Sequence, residues 1–390
     1  MMELLAHSPF DVAREHRIVI IADWLPPDFG AVGQYMQLRA QALAERGHDV
    51  TLIGLTSGST SLRREARGEG RLTELRLQAR PVPRGSLLGR PAWTFWTDLR
   101  LIVAGFRYLR AAHGILFTGS PPFMIHLLAP LRFLWRGRLV YRITDFHPEC
   151  QIAAQAGPSF ALSLLLGLTN FWRRRVDCFE VLGLDQKRRL VATGVAGQRI
   201  ALVRDGSPVD FSAVEASEPL PAGLAGACVL LYSGNYGIAH ELDTVAEGYV
   251  RHHRSGSGRV RLWLSATGMG AEELDKRLTA QGVPFHRSPP VPLERLAGLL
   301  RAPDAHLVTL KDAFVGFVLP SKIYACVDSG RPVLFVGSAD SDVDLLARPA
   351  RAGYWRVACG DVVGFADSLE VLADLGTKAA GGNTWTRHVW

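Results

Sequence analysis

Three short stretches carry the residues best suited to chemistry. The first is 306–337, HLVTLKDAFVGFVLPSKIYACVDSGRPVLFVG. Its apolar run gives way to Lys311 and glycine, and then Pro320 and Ser321 precede residues with helical spacing. Proline suits a first helical turn and serine caps one. The N–H groups of Pro320-Ser321-Lys322-Ile323 are therefore predicted to face out of a helix N-terminus, which attracts phosphate, and Lys322 adds a full positive charge. An ordinary βαβ unit with a capped helix would carry the same local residues. The second stretch, Gly234-Asn235-Tyr236-Gly237, follows the apolar run CVLLYS and reads as another phosphate-facing turn. The third, Thr144-Asp-Phe-His-Pro-Glu149, follows the apolar run Leu139–Ile143. Asp145, His147 and Glu149 are its candidates for acid/base work or substrate binding; a solvated surface loop is the alternative.

Each stretch needs a strand behind it and a helix after it. His306–Leu310 and Val333–Val336 read as buried strands around a helix that Gly330 stops. Arg17–Ala22 is apolar on both faces, as a central parallel strand should be. A glycine-containing loop with Gly30 and Gly33 leads into a helix to Arg46, and a second strand spans 50–54. Glycines there let backbone approach a ligand at the first switch point of an open α/β sheet. No acidic residue ends the second strand, so a nicotinamide-binding site is not expected. Residues 56–72 are polar and read as a loop. The strand–helix alternation in each half predicts an α/β chain of two Rossmann-like, doubly wound parallel-sheet domains. Their predicted bounds are 1–211 and 227–375, with a linker at 212–226 and a tail at 376–390.

A chain of 390 residues fits two such domains. Net charge is +7, and only five of the 44 basic residues are lysine. That balance suits anionic partners. Arginines interleave with aromatics between 80 and 114, and further apolar-basic stretches run over 127–138 and 159–175. Helices of that composition fit an anionic membrane surface; core helices with solvated arginines are the alternative. The five cysteines lack metal-ligand spacing and read as reduced cytosolic thiols. Neither a signal peptide nor a membrane-spanning run is recognised. The arginines form no glycine- or lysine-rich arm, so nucleic acid is not an expected partner.

The pattern G-x-x-x-PSK-x-Y-x-x-x-x-SGRPV in 306–337 resembles the donor-site segment of family 4 glycosyltransferases of the GT-B fold. The likeness is to the branch that builds bacterial surface polysaccharides such as colanic acid and O-antigen. Two further segments support it: D-x-x-PP-x-x-G-x-x-G from Asp23, followed by ALAERGHDVT, and Y-S-G-N-x-G from Tyr232. The resemblance implies two domains facing across a cleft and a retaining, metal-independent sugar transfer with no cofactor beyond the nucleotide-sugar substrate. It implies a hexosyltransferase-type enzyme, cytoplasmic and peripheral to the inner membrane. The donor would be a UDP-sugar, with a GDP-sugar as rival, and the acceptor a polyprenyl-diphosphate-linked glycan of exopolysaccharide or O-antigen synthesis.

In such relatives Pro320, Ser321, Lys322, Ile323 and the Gly234–Gly237 turn would hold the diphosphate, with Gly30 and Gly33 closing over it. The loop at Pro290 would read the base, and the Asp145–Glu149 loop would line the acceptor side. Many members of the family carry an arginine or a lysine in the Gly234 turn; here Asn235 and His240 stand at those positions, so Lys311 or Lys322 would compensate. The paired glutamates of an E-x7-E motif are replaced by Phe317 and Ala325. Those departures keep three alternatives open: a non-catalytic scaffold of a polysaccharide assembly, a sugar-nucleotide epimerase and a phosphorylase.

Overall fold

A computed structural model describes residues 16–28, 31–80, 89–120, 122–155, 157–212, 217–349 and 353–379. The chain divides into two compact units at Arg204/Asp205. In the first unit the strands are β1 (Arg17–Trp24), β2 (Asp49–Thr56), β3 (Ser61–Arg67), β4 (Gly70–Gln78), β5 (Gly114–Thr118), β6 (Arg138–Ile143), β7 (Cys178–Val181) and β8 (Ile200–Leu202). They form a sheet ordered β3-β4-β2-β1-β5-β6-β7-β8, parallel except for edge strand β3. The helices are α1 (Ala31–Glu45), α2 (Gly89–Ala111), α3 (Met124–Leu128), α4 (Glu149–Ala154), α5 (Phe160–Arg173) and α6 (Leu184–Ala192).

In the second unit β9 (Cys228–Asn235), β10 (Val260–Thr267), β11 (His286–Ser288), β12 (Ala305–Thr309), β13 (Val333–Val336) and β14 (Tyr354–Val357) are ordered β11-β10-β9-β12-β13-β14, all parallel. Helices α7 (Asp243–Ser255), α8 (Met269–Ala280), α9 (Leu293–Arg301), α10 (Lys322–Asp328), α11 (Asp342–Ala347) and α12 (Val362–Ala379) connect and cover them. The order reverses between β1 and β5 in one sheet and between β9 and β12 in the other. At those points the crossover connections leave to opposite sides and open a crevice at the strands' carboxyl ends.

The central strands are buried on both faces, as continuous apolar runs require. Two expectations are corrected. Residues 56–72 are not a loop: β3 and β4 form a hairpin closed by Gly68-Glu69, and Gly68 takes a left-handed φ of 57°. Edge strand β3 is exposed and rich in arginine, so it lacks the apolar run that announces a strand. The domain boundary falls at Arg204, before the expected 211, because Val209 and Leu224 are buried in the second unit's core beside Val229 and Trp263. The expected linker therefore belongs to that unit where it is described, and Glu218 N–H donates to Gly298 O at 3.0 Å. Of the tail, 376–379 end α12, and 380–390 lie outside the described residues.

Candidate functional site

The second unit's switch point gathers most of the residues expected to hold a donor. β9 ends in Ser233-Gly234-Asn235, with Gly234 at φ 100°, and β12 ends at Thr309. Lys311 N–H donates to Ala239 O at 2.8 Å and ties the two exits together. The rings of Tyr232 and Tyr236 stack with centroids 4.2 Å apart. The ring of His240 meets both edge-on, at 5.8 and 5.6 Å. Lys322 extends from the first residue of α10 and sets its amine 3.4 Å from the centre of the Tyr232 ring. That nitrogen has neither accessible surface nor a hydrogen-bond partner. Burial pushes the amine down to about 7.

Several sequence-level expectations about this site change. Ser321 has helical dihedrals, and its side chain makes no cap. The Ile323 N–H already donates to Pro320 O at 3.1 Å, and proline has none, so the amides that can still donate are those of Ser321 and Lys322. Ile323 points its side chain into the core. Helix α10 has seven residues, too few for a strong dipole. His240 cannot replace a lysine's charge. Burial, and then the neighbouring Lys322, push it down to about 3, and its Nδ1–H donates to Thr309 O at 2.8 Å. Helix α7 does not offer a bare N-terminus either: Glu241 Oε1 accepts from Thr244 N–H at 3.0 Å and from its hydroxyl. Asn235 and Gly237 are accessible at the crevice, whereas Tyr236 is fully buried. Pro290 lies apart, in a cavity of about 260 Å³ lined by Trp263, Ser288, Pro289, Val291 and Pro292. There Trp263 Nε1–H donates to Ser288 Oγ at 2.9 Å, and Ser265 Oγ–H donates to Pro289 O at 3.2 Å.

In the first unit Asp145 and His147 lie in the loop from β6 to α4, and Glu149 is the first residue of α4. Burial moves Asp145 up and His147 down, so it favours the neutral form of each; their mutual attraction opposes this. His147 Nδ1 is enclosed without a hydrogen-bond partner. Glu149 is engaged otherwise. Arg173, buried at the end of α5, grips both of its oxygens and also donates to His147 O at 3.2 Å. This two-pronged clamp fixes the loop. Beneath it, Glu180 is shared by the fully buried Arg39 and Arg142. Burial raises that carboxyl, but the two guanidiniums outweigh it and hold Glu180 below its ordinary value.

Asp23 was missed in the sequence, although it stands next to the Trp-Leu-Pro-Pro loop. It lies at the carboxyl end of β1 and accepts from Ser120 Oγ at 2.7 Å, in the loop after β5. Its other oxygen is enclosed without a partner. Burial pushes the carboxyl up to about 6, against hydrogen bonds from Ser120 and the Gly33 amide. Its signals were its place at the head of the D-x-x-PP motif and its position before a loop at a strand end. Gly33 has a packing role besides the one expected. A Cβ there would stand 1.7 Å from Trp24 O, so this glycine lets α1 pack against β1's exit. Gly30 lies outside the described residues.

An apolar surface lies elsewhere on the first unit. Along α5, Phe160, Leu164, Leu168 and Phe171 recur at helical spacing and are exposed, Phe160 by 87% and Leu164 by 67%. Exposed Arg174 and Arg175 follow, and the Arg175 guanidinium lies 3.4 Å from the centre of the Phe171 ring. Trp96 and Val103 of α2 and Phe133 are exposed too. Among the described residues no helix is long and apolar enough to cross a membrane. No group of three or more His, Cys, Asp or Glu among them could hold a metal ion.

No family model matches the sequence, and no curated protein is recognisably similar to it. Solved structures are. Sucrose-phosphate synthase from Thermosynechococcus elongatus superposes with a TM-score of 0.68 at 15% identity, over 93% of this chain and 90% of that one. The chain has the GT-B fold. The HepE protein of Anabaena, solved in complex with UDP and glucose, gives 0.59 at 13% identity, over 94% and 92%. The lipopolysaccharide outer core galactosyltransferase WaaB, in its apo form, gives 0.55 at 12% identity, over 92% and 91%.

Proposed function

We propose that this chain is a retaining, metal-independent glycosyltransferase of hexosyltransferase type, in the surface-polysaccharide branch of family 4. It moves a sugar from a nucleoside diphosphate donor to a polyprenyl-diphosphate-linked glycan in exopolysaccharide or O-antigen synthesis. The observation that carries this reading is the enclosed amine of Lys322 at the β9/β12 switch point, beside the Gly234–Gly237 turn and Lys311. Transfer requires a leaving diphosphate to be stabilised where its charge develops, and a lysine with backbone amides can do this. A UDP-sugar is the favoured donor, and similarity in fold to a protein solved with UDP supports that choice. The cavity at Pro290 is the place we assign to the base. The leaving phosphate oxygen helps to take the acceptor hydroxyl's proton, and Asp145 and His147 orient the acceptor. The exposed face of α5 with Arg174 and Arg175 supports docking on the anionic cytoplasmic face of the inner membrane.

A thermal-shift panel of UDP, GDP and ADP with their common sugars, run with and without EDTA, tests the donor reading. A ligand that binds only the folded state raises the melting temperature by mass action. A shift with uridine nucleotides that EDTA leaves unchanged is the expected result. No shift with any of them would reject the donor site and favour a non-catalytic scaffold, the reading to which the missing glutamates at Phe317 and Ala325 point.

A further inference from the structure

We propose that a sugar nucleotide binds the second unit together with a proton, which Lys322 takes up as its amine leaves the Tyr232 ring to face the diphosphate. This deepens the donor-site reading and rests on it.

The amine's surroundings carry no compensating negative charge. Tyr232 faces it from β9, with Tyr236 stacked on that ring, and Cys326 lies near it on α10 itself; His240, in the β9–α7 turn, feels both this amine and Lys311. Burial pushes both tyrosines and Cys326 up, so all three stay neutral. His240 is pushed down and stays neutral as well, while Lys311 is a further cation. An ammonium enclosed there has lost its water and gained only the face of a ring. Arginine could not answer by shedding its proton, but lysine can. The chain uses lysine at only five positions, and this is one of them. A diphosphate reverses the balance, because two phosphate charges favour the ammonium and accept its hydrogen bonds. Binding therefore draws a proton from solvent whenever the free amine has lost its own.

Two measurements on the full chain test this. Lysine labelled with ¹³C at Cε gives one resonance for each of the five lysines, and Lys322→Met assigns the one in question. Its titration in the free protein reads the amine directly, with an expected midpoint near 7. Calorimetry of UDP-glucose binding in phosphate and Tris buffers counts protons, since the ligand's diphosphate has none to exchange near neutrality. Uptake should be about 0.9 proton per ligand at pH 8 and about 0.1 at pH 6. Lys322→Met replaces the side chain by a neutral one of similar length. It should fold, bind UDP-glucose at least about tenfold more weakly, a loss of about 1.4 kcal/mol, and take up no proton. A titration midpoint near 10, or binding at pH 8 without uptake, overturns the proposal alone. Absence of UDP-glucose binding at both pH values overturns it together with the uridine donor reading.

Discussion

Replacing Gly33 with alanine separates packing from ligand approach. The added Cβ would lie 1.7 Å from Trp24 O, 2.7 Å from Trp24 C and 3.4 Å from Leu25 Cα. All three are main-chain atoms at the exit of β1, so no side chain can swing aside. Ordinary contact begins at 3.4 Å, and the carbonyl stands at half that distance, so the start of α1 must move by about 1.7 Å. Alanine is favoured over glycine within a helix by about 1 kcal/mol. Overpacking of this kind costs about 1–3 kcal/mol, and a clash with main chain belongs at or above the upper end. The expected net loss is about 2 kcal/mol. For a unit of this size that lowers the melting temperature by about 4–8 °C. The same movement pulls the Gly33 amide away from Asp23. Far-UV circular dichroism on heating reads the stability, and calorimetry at 15 °C reads UDP-glucose binding to the folded variant. The expected result is a lower melting temperature with unchanged affinity. An unchanged melting temperature with lost affinity would refute the packing argument and restore the role expected from the sequence.

Three further outcomes are expected. Glu180→Gln leaves Arg39 and Arg142 buried without their shared counter-charge, so urea unfolding should show a loss of about 3 kcal/mol, with 3–5 usual for a broken buried pair. Because the native carboxyl titrates below its ordinary value of 4.5, its contribution is present above that pH and fades as pH falls through the native value. The gap between wild type and variant should therefore close in acid, and a gap that widens there would contradict the assignment. Asp23 has the opposite sign. Its carboxyl is held up at about 6 against 3.8, so its ionisation opposes folding at pH 8 and ceases to do so as pH falls through that range. Asp23→Asn should then melt no lower than wild type at pH 8 yet lose sugar transfer, and retained transfer would remove Asp23 from the site. Leu164→Asp should weaken binding to phosphatidylglycerol-containing vesicles at least about tenfold, since a buried leucine contributes about 1.5–3 kcal/mol; unchanged binding in a sedimentation assay would remove α5 from the membrane face.

What could be read from the sequence depended on how local each cause was. Continuous apolar runs such as VLLY and VLFV identify strands buried on both faces, and the glycine–proline punctuation after the 320s marks the end of α10. Both signals arise within a few residues, so the α/β class and the buried strands followed. β3 escaped because an edge strand has no need of an apolar run; its signal was the Gly68-Glu69 turn, which imposes a positive φ. Gly33 shows a different limit. At Gly33 a missing side chain makes room, but the pattern does not say for what, and the occupant turned out to be the chain's own carbonyl.

Charge was the least readable property, because it depends on what the fold places around a group. Lys322, His240, Asp23, Asp145 and His147 are all ionisable in the sequence, and burial moves every one of them toward its neutral form. Inside the first unit Glu180 is paired with two buried arginines, and Glu149 with Arg173. Lys322 and Asp23 lack such partners, whereas Asp145 and His147 have only each other's partial attraction. An unpaired buried ionisable group is costly unless something later supplies the missing charge. A short α10, a neutral His240 and the capped start of α7 leave the second switch point with little fixed positive charge of its own. A site built that way holds an anion by acquiring a proton as the anion arrives, so its affinity should fall about tenfold for each pH unit above the Lys322 midpoint.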